Sequence, residues 1–586
     1  MMKYSGLRDF METKVSKIVS EKASLIWSIA DKLVGVYKPH EYGDVILPLT
    51  VLKRFDSVLA ETKNKVLEMA KKYPETFAQR DFILKETAGQ KFYNTSKYDF
   101  KRLLDDPDNI EENFYNYING YSDEVKDIIK NFDLNRQIKK MASNGILYQV
   151  IDTFNSEKAN LHPDYVSNIE MGYIFEEIIR RFNELSNEDA GQHYTPREVI
   201  ELMVNLIFED EEELADSSKI KTVYDGACGT GGMLTAAMEY AKKLNSSSRM
   251  LCYGQELNAQ TYAICKADML IKGEDSNNIR HGNTLSGDLF PGETFDYIIM
   301  NPPFGIEWKN EKAEVLKEAE KGSDGRFPAG TPAISDSQLL FLQNAISKMK
   351  PEGSKVAIIH NGSALFKGDA GSGESEIRRY VIENDLLDCI IQLPNDMFYN
   401  TGIATYIWIL SNKKPGHRAG KVQLINASEF YNKMRKSLGN KRNELSKEHI
   451  DNITKIYGDF VENEYSKIFD NEFFGYRKVT VLQPELNEDG IPKKNKKGEY
   501  IPNKELTDTE NIPLQETIED YMNREVIPFA KYAYIDESKT KIGYEISFTK
   551  YFYKYQEPRK TEEIMKEILE LDKKLDGVLK ELQEDE

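Results

Sequence analysis

Two short stretches of this chain hold the residues best suited to chemistry. Asp225-Gly226-Ala227-Cys228-Gly229-Thr230-Gly231-Gly232 follows the apolar run Lys221–Asp225 and precedes a helical pattern near Met233–Leu244. Glycines at a strand-to-helix turn let the backbone approach a ligand where a β-carbon would collide. Their spacing is not that of the dinucleotide fingerprint, and no phosphate-binding Gly-Lys-Ser/Thr is present, so the turn suits a nucleoside without a pyrophosphate. Glu256 ends the next apolar run, where a carboxylate can accept both ribose hydroxyls. Asn301-Pro302-Pro303-Phe304 follows the run Phe295–Met300. An exocyclic amine on a conjugated ring is a poor nucleophile, because its lone pair is delocalised. The side-chain oxygen of Asn301 and the main-chain carbonyl of Pro302 can take both amine hydrogens and push the nitrogen towards tetrahedral geometry. The prolines hold those acceptors rigid. Phe304 offers a face on which an extruded base can stack. If the carbon to be attacked is a methyl on sulfonium, placement alone does most of the work and no covalent enzyme intermediate is needed.

A third stretch, Gly191-Gln192-His193-Tyr194-Thr195-Pro196-Arg197, has two readings on spacing alone. Thr195 can cap a helix that has Pro196 at its first position. Alternatively, Tyr194 and Thr195 border the amino-acid end of a sulfonium cofactor.

These residues need a scaffold that brings strand ends together. Seven candidate strands run in one series: Lys221–Asp225, Met250–Glu256, Asn278–Gly282, Phe295–Met300, Lys355–His360, Asp388–Pro394 and Thr405–Ser411. Helical patterns separate most of them, at Ala259–Ile271, Asp336–Met349 and Glu374–Glu383. Alternation of this kind predicts an α/β fold with one doubly wound, mostly parallel, seven-stranded sheet in residues 166–430. Residues 1–165 read as an all-α domain, with Ile26, Ile29, Ala30 and Leu33, then Leu49, Leu52, Phe55 and Leu59, at helical spacing. Residues 431–557 read as a mixed extension with two basic stretches, Lys433, Arg435, Lys436, Lys441 and Arg442, then Lys493, Lys494, Lys496 and Lys497. In 558–586, Ile564, Ile568, Leu571, Leu575, Val578 and Leu582 step by four and three, a coiled-coil seam that packs onto its own domain or, as the favoured reading, onto a partner helix.

Bulk properties set bounds. A chain of 586 residues with 40% hydrophobic and 11% aromatic content can bury several cores and is too apolar for disorder. It has no apolar run long enough to span a bilayer, and Met1–Lys14 lacks the apolar core of a secretory signal. The cysteines Cys228, Cys252, Cys265 and Cys389 show no paired spacing and the histidines are isolated. This points to the cytoplasm, without disulfides or a metal site. The net charge of −19 is unusual for a chain that grips nucleic acid unaided.

The order Gly-Gln-x-Tyr-Thr-Pro, Asp-x-Ala-Cys-Gly-Thr-Gly-Gly, Asn-Pro-Pro-Phe resembles the amino-methyltransferases of the γ arrangement. Within them the chain is similar to the modification subunits of type I restriction-modification systems. Asn361-Gly362-Ser363-Ala364-Leu365-Phe366, Phe398-Tyr399-Asn400-Thr401-Gly402, Pro48-Leu49-Thr50-Val51-Leu52-Lys53-Arg54-Phe55 and Gly543-Tyr544-Glu545-Ile546-Ser547-Phe548 read like theirs. The resemblance implies a class I Rossmann-like methyltransferase that moves a methyl group from S-adenosylmethionine to the N6 amine of a flipped adenine in double-stranded DNA. Cofactor contacts would come from Tyr194, Thr195, Asp225, Gly226, Ala227, Gly229, Gly231, Gly232 and Glu256. Contacts to the adenine would come from Asn301, Pro302, Pro303 and Phe304. Gly226 stands where many relatives have proline. Asn283 stands where aspartate often meets the cofactor's adenine amine, and its amide oxygen could accept that bond. The implied partners are a specificity subunit, served by two modification subunits, and a restriction/translocase subunit. A separate base-reading chain would account for the acidic charge. The same acceptor pair would also serve cytosine N4, guanine in RNA or protein glutamine, and a lapsed scaffold is the non-enzymatic alternative.

Overall fold

The computed structural model describes residues 19–186, 195–209, 219–399, 401–553 and 560–571. Its centre is a sheet in which all seven expected strands take part: β1 (Ile220–Asp225), β2 (Arg249–Glu256), β3 (Ile279–His281), β4 (Tyr297–Met300), β5 (Lys355–Asn361), β6 (Leu387–Gln392) and β7 (Thr405–Ser411). The sheet has nine strands rather than seven, because β8 (Lys421–Asn426) and β11 (Ser466–Asp470) extend it beyond β6. The order is β11-β8-β6-β7-β5-β4-β1-β2-β3. β1 pairs parallel with β2 and β4, β2 with β3, and β4 with β5. β7 runs antiparallel between β5 and β6, and β8 is parallel to β6. β1 to β6 and β8 therefore end at one common edge. β4 is buried along its whole length, as expected of a strand covered on both faces. β11 is short and half polar, and its ladder to β8, from Ser466↔Ile425 to Asp470↔Lys421, is the reason it is a strand.

Both faces carry helices. Arg197–Ile207 and Gly232–Leu244 share one core with β1, β4, β5 and β7. Ala259–Ile271 leans instead on the helical front of the chain. Ala263, Ile264, Ala267 and Leu270 join the cluster built by Ile46, Leu49, Phe55, Phe114, Ile128 and Ile174. Polar contacts seal that junction: Lys266 Nζ donates to Asp127 Oδ2 at 2.6 Å and Tyr262 Oη to the same oxygen at 2.9 Å. Arg54, from the fully buried face of helix Gly43–Leu59, reaches the connection between the two parts. Its guanidinium donates to the carbonyls of Leu161 and Val166, the latter at 2.8 Å, and to Asn168 Oδ1 at 2.6 Å. This explains physically why Arg54 sits inside the apolar stretch Pro48–Phe55.

Past the sheet, β9 (Asn432–Leu438) and β10 (Lys441–Glu444) form a ribbon, and β12 (Gly475–Leu482), β13 (Asp508–Pro513) and β14 (Tyr534–Tyr544) form a second sheet in the order β13-β12-β14. Buried Arg378 ties the end of β14 to the main domain, donating to the carbonyls of Tyr544 at 2.6 Å and Ala364 at 3.1 Å. Residues 547–586 form a separate unit, helical at Phe548–Phe552 and at 561–571. Of the expected apolar row, Ile564, Ile568 and Leu571 lie on that second helix, whereas Leu575, Val578 and Leu582 lie outside the described residues. Among the described residues, no helix is long and apolar enough to cross a membrane.

Replacing Arg54 by Met leaves two buried carbonyls and the half-buried Asn168 Oδ1 without this donor. We expect a loss of about 3 kcal/mol in denaturant unfolding. Arg54→Lys should not restore it, because an ammonium cannot match the fork of the guanidinium. A loss below about 1 kcal/mol would remove Arg54 as the tie between the domains.

Candidate active site

The strand order reverses at β1, which is flanked by β2 on one side and β4 on the other. In open α/β sheets this switch point leaves a crevice at the carboxyl edge. The cleft found there has a volume of about 440 Å³, open to solvent, and Thr195, Asp225, Ala227, Gly229, Gly232 and Asn301 all line it. The glycine turn and the Asn-Pro-Pro-Phe turn therefore face the same space.

Asn301 follows β4 directly. Its Nδ2 donates to Thr195 Oγ1 at 2.8 Å, which fixes the direction of the carboxamide. Its Oδ1 is buried and accepts no hydrogen bond among the described residues. Such an acceptor costs roughly 1–3 kcal/mol and calls for an explanation. Pro302 is buried, and Phe304 is half-buried against the core of the sheet. Helix Arg197–Ile207 begins with Pro196 as its N-cap and no side-chain cap. Thr195 is thus not the expected helix cap, since its hydroxyl serves Asn301. Tyr194 lies outside the described residues.

The glycine turn is built by close approach. Gly231 has φ +83°, and a β-carbon there would meet Cys265 Sγ at 2.7 Å. A β-carbon on Gly226 would meet the Tyr224 hydroxyl at 2.9 Å, so the ring of Tyr224 occupies the room that a proline at that position would need. The amide of Gly229 donates to Glu256 Oε2 at 2.8 Å, and the amide of Asn258 donates to Glu256 Oε1 at 2.7 Å. Glu256 is not among the residues that line the cleft with Asn301, and through these two amides it braces the turn. Asp225 is buried, and its Oδ1 accepts from the amide of Ala227 at 3.0 Å. Burial pushes its carboxyl up to about 8, with the charge of Glu256 adding to the rise and the Ala227 amide opposing it.

Asn283 is held in a local turn. Its Oδ1 accepts from the amide of Leu285 at 2.9 Å and its Nδ2 donates to Glu311 Oε1 at 2.8 Å, a local turn tied to the loop after Phe304. It lies outside the lining of the cleft. Sequence reasoning missed Glu176, Ile200, Cys228, Thr230 and Met233, which complete the lining. Glu176 sits on helix Asn168–Ser186 and pairs with Arg197 at 2.6 Å. Nothing in its helical context, an acid in an amphipathic run, distinguishes it from a surface glutamate. Among the described residues, no group of three His, Cys, Asp or Glu could hold a metal ion.

This arrangement matches known proteins. The model of the N-6 DNA Methylase family matches residues 167–474, just over half of the chain, and that of the HsdM N-terminal domain matches 22–154. The chain is 27% identical over 535 residues to the Type I restriction enzyme MjaIX methylase subunit of Methanocaldococcus jannaschii, covering 83% of this chain and 88% of that one. It is 31% identical over 330 residues to the MjaVII methylase subunit of the same organism, covering 51% and 54%. The methyltransferase subunit of a type I restriction-modification system from Streptococcus thermophilus shares the fold, with a TM-score of 0.61 at 23% identity over 78% of this chain and 97% of that one. With its helical front, its α/β sheet and its Asn301 cleft, the chain belongs to the N-6 DNA methylase family, whose members transfer a methyl group from S-adenosylmethionine to the N6 amine of adenine in DNA.

Proposed function

We propose that this chain is the modification subunit of a type I restriction-modification complex, acting in the cytoplasm on an adenine flipped out of double-stranded DNA. The observation that carries this reading is the buried, unpaired Oδ1 of Asn301, a residue that lines one cleft together with the glycine turn. A buried acceptor without a donor is the group an incoming amine requires. Asn301 Oδ1 and the Pro302 carbonyl take the two hydrogens of the adenine amine, and the nitrogen lone pair is freed for attack. Thr195 keeps the carboxamide from turning its nitrogen towards the substrate. Phe304, braced by the core, stacks on the base.

S-adenosylmethionine supplies, when bound, an electrophilic methyl on sulfonium. The cleft fits a cationic ligand of that kind, because Asp225 is a buried carboxyl that no cation reaches among the described residues. Asp225, Ala227, Gly229 and Gly232 hold the cofactor, and Tyr194 borders it from the segment before Thr195. Glu256 meets the ribose with the lone pairs that its two backbone donors leave free. Asn283, engaged on Leu285 and Glu311, has at most the second lone pair of its oxygen for the cofactor's base.

A specificity subunit reads the DNA sequence, with two modification subunits per complex, and a restriction/translocase subunit joins it. Residues 1–165 close over the duplex, and residues 558–586 dock on the helices of the specificity subunit. Names of relatives as methylase subunits of type I restriction enzymes support this assembly.

Asn301→Ala should lower the turnover of methyl transfer to DNA by about 10²–10³-fold, as loss of a preorganised polar contact does. Cofactor binding should persist. Equal turnover, measured with the specificity subunit present, would refute the role of Asn301.

Asp225 makes a second, pH-dependent prediction. Its folded-state value of about 8 lies above the ordinary value near 4, so the folded protein holds this proton more tightly than the unfolded chain. Stability is therefore lost as pH rises through that window. Without ligand, Asp225→Asn should be more stable than the parent, by about 2–3 kcal/mol more at pH 9 than at pH 6, while it loses affinity for S-adenosylmethionine. A pH-independent difference in unfolding free energy would contradict the buried, unpaired carboxyl.

A further inference from the structure

β8 ends at the same edge as β4, and the chain leaves it through Ala427–Tyr431 into the β9–β10 ribbon. The ribbon from Asn432 to Glu444 contains Lys433, Arg435, Lys436, Lys441 and Arg442 and a single carboxylate, Glu444. Lys441 is buried and paired with Glu198, just after the Thr195 segment. The other four are exposed and form no ion pair among the described residues. The partners Lys441↔Leu438 and Asn443↔Lys433 bulge Met434–Ser437 out of the ladder and leave both Arg435 and Lys436 in solvent.

The ribbon is also held in place. The amide of Asn440 donates to the Tyr399 carbonyl at 2.8 Å, and the amide of Arg442 to the Asp396 carbonyl at 2.9 Å. Asn443 Nδ2 donates to the Asn395 carbonyl at 2.9 Å. These acceptors lie in the loop after β6. β6 is three strand spacings from β4, on the order of 15 Å. A major groove is about 12 Å wide, so phosphates flanking a base in the cleft fall within reach of the ribbon. In the second basic stretch Lys493 is paired with Glu485 at 3.2 Å and Lys494 lies over the Tyr500 ring at 5.2 Å, which leaves only Lys496 and Lys497 exposed with neither kind of contact among the described residues.

We propose that the β9–β10 ribbon grips the phosphate backbone of the target duplex beside the base delivered to Asn301. This rests on the reading of the cleft as a DNA methyltransferase site. A chain of net charge −19 repels DNA at long range, and four unpaired cations beside the cleft supply a local grip that needs no base reading. Like charges crowded on one ribbon repel each other, and a polyanion relieves that repulsion.

The test uses the full chain assembled with its specificity subunit and measures duplex affinity against salt. Removing one phosphate contact lowers the slope of log K against log salt by about 0.9. The triple variant K433A/R435A/K436A should therefore lose about 2–3 from that slope and bind roughly 10–100-fold more weakly at 0.1 M salt. Its affinity for S-adenosylmethionine and its melting midpoint should not change. Arg435→Gln alone, a mild change on a solvent-facing side chain, should remove about one unit of slope, which keeps the test decisive if the triple variant folds poorly. K493A/K494A/K496A should leave the slope unchanged. If the ribbon variants bind with the parent's slope while parent and variants both methylate DNA, the ribbon assignment fails and the methyltransferase reading stands. Failed assembly of the triple variant with the specificity subunit, at unchanged melting, would mean that the ribbon meets an acidic protein surface and would overturn the proposal. If the parent complex methylates no DNA, the underlying reading falls and takes the ribbon with it.

Discussion

A carboxamide has two ends, and the chemistry proposed for this cleft depends on which end faces the substrate. Thr195 settles that by accepting the Nδ2 of Asn301 at 2.8 Å, which leaves Oδ1 buried and without a donor. The surrounding structure makes this arrangement tenable. β4 between β1 and β5 sets the position of Asn301, and the diproline stiffens the backbone beyond it. The glycine turn comes to the same cleft because the sheet changes direction at β1. Left unpaired, one acceptor and one carboxyl cost stability, and in the proposed reading substrate and cofactor offset both costs. This is the usual relation between a strained site and its ligands.

The charge of the chain becomes intelligible in the same way. Recognition, grip and chemistry need different surfaces, and only grip demands cations. Several cations elsewhere among the described residues are engaged in local pairs, such as Lys266 with Asp127, Lys348 with Asp288 and Arg418 with Asp388. Buried pairs of this kind add rigidity and leave no field for a polyanion. The unpaired cations of the ribbon differ in being clustered at the carboxyl edge of the sheet, which a count of charges conceals.

How much was legible in the sequence depends on where each signal resides. The seven central strands and the glycine turn could be read because buried parallel strands are continuous apolar runs, and because positions such as Gly231 admit no β-carbon. β11 could not be read, because a short, half-polar segment becomes a strand only through its neighbour β8. Thr195-Pro196 carried a local capping signal and a tertiary one at once. The local signal lost because the helix begins at Arg197 with Pro196 as its cap. The turn that Asn283 closes on Leu285 was not legible, because it depends on the fold around it. Glu176 gave no signal at all. A helical glutamate becomes part of a cleft only when the fold brings it beside Arg197 and the glycine turn.

The most direct test of the central claim is a structure of the chain bound to S-adenosylhomocysteine and to a duplex carrying its target adenine. The cofactor product should sit on the turn Asp225–Gly232, and the N6 amine of an extruded adenine should lie within about 3.2 Å of Asn301 Oδ1, with Thr195 still on Nδ2. A cofactor product seated elsewhere, or a protein donor capping Asn301 Oδ1 while the adenine lies in the cleft, would contradict it.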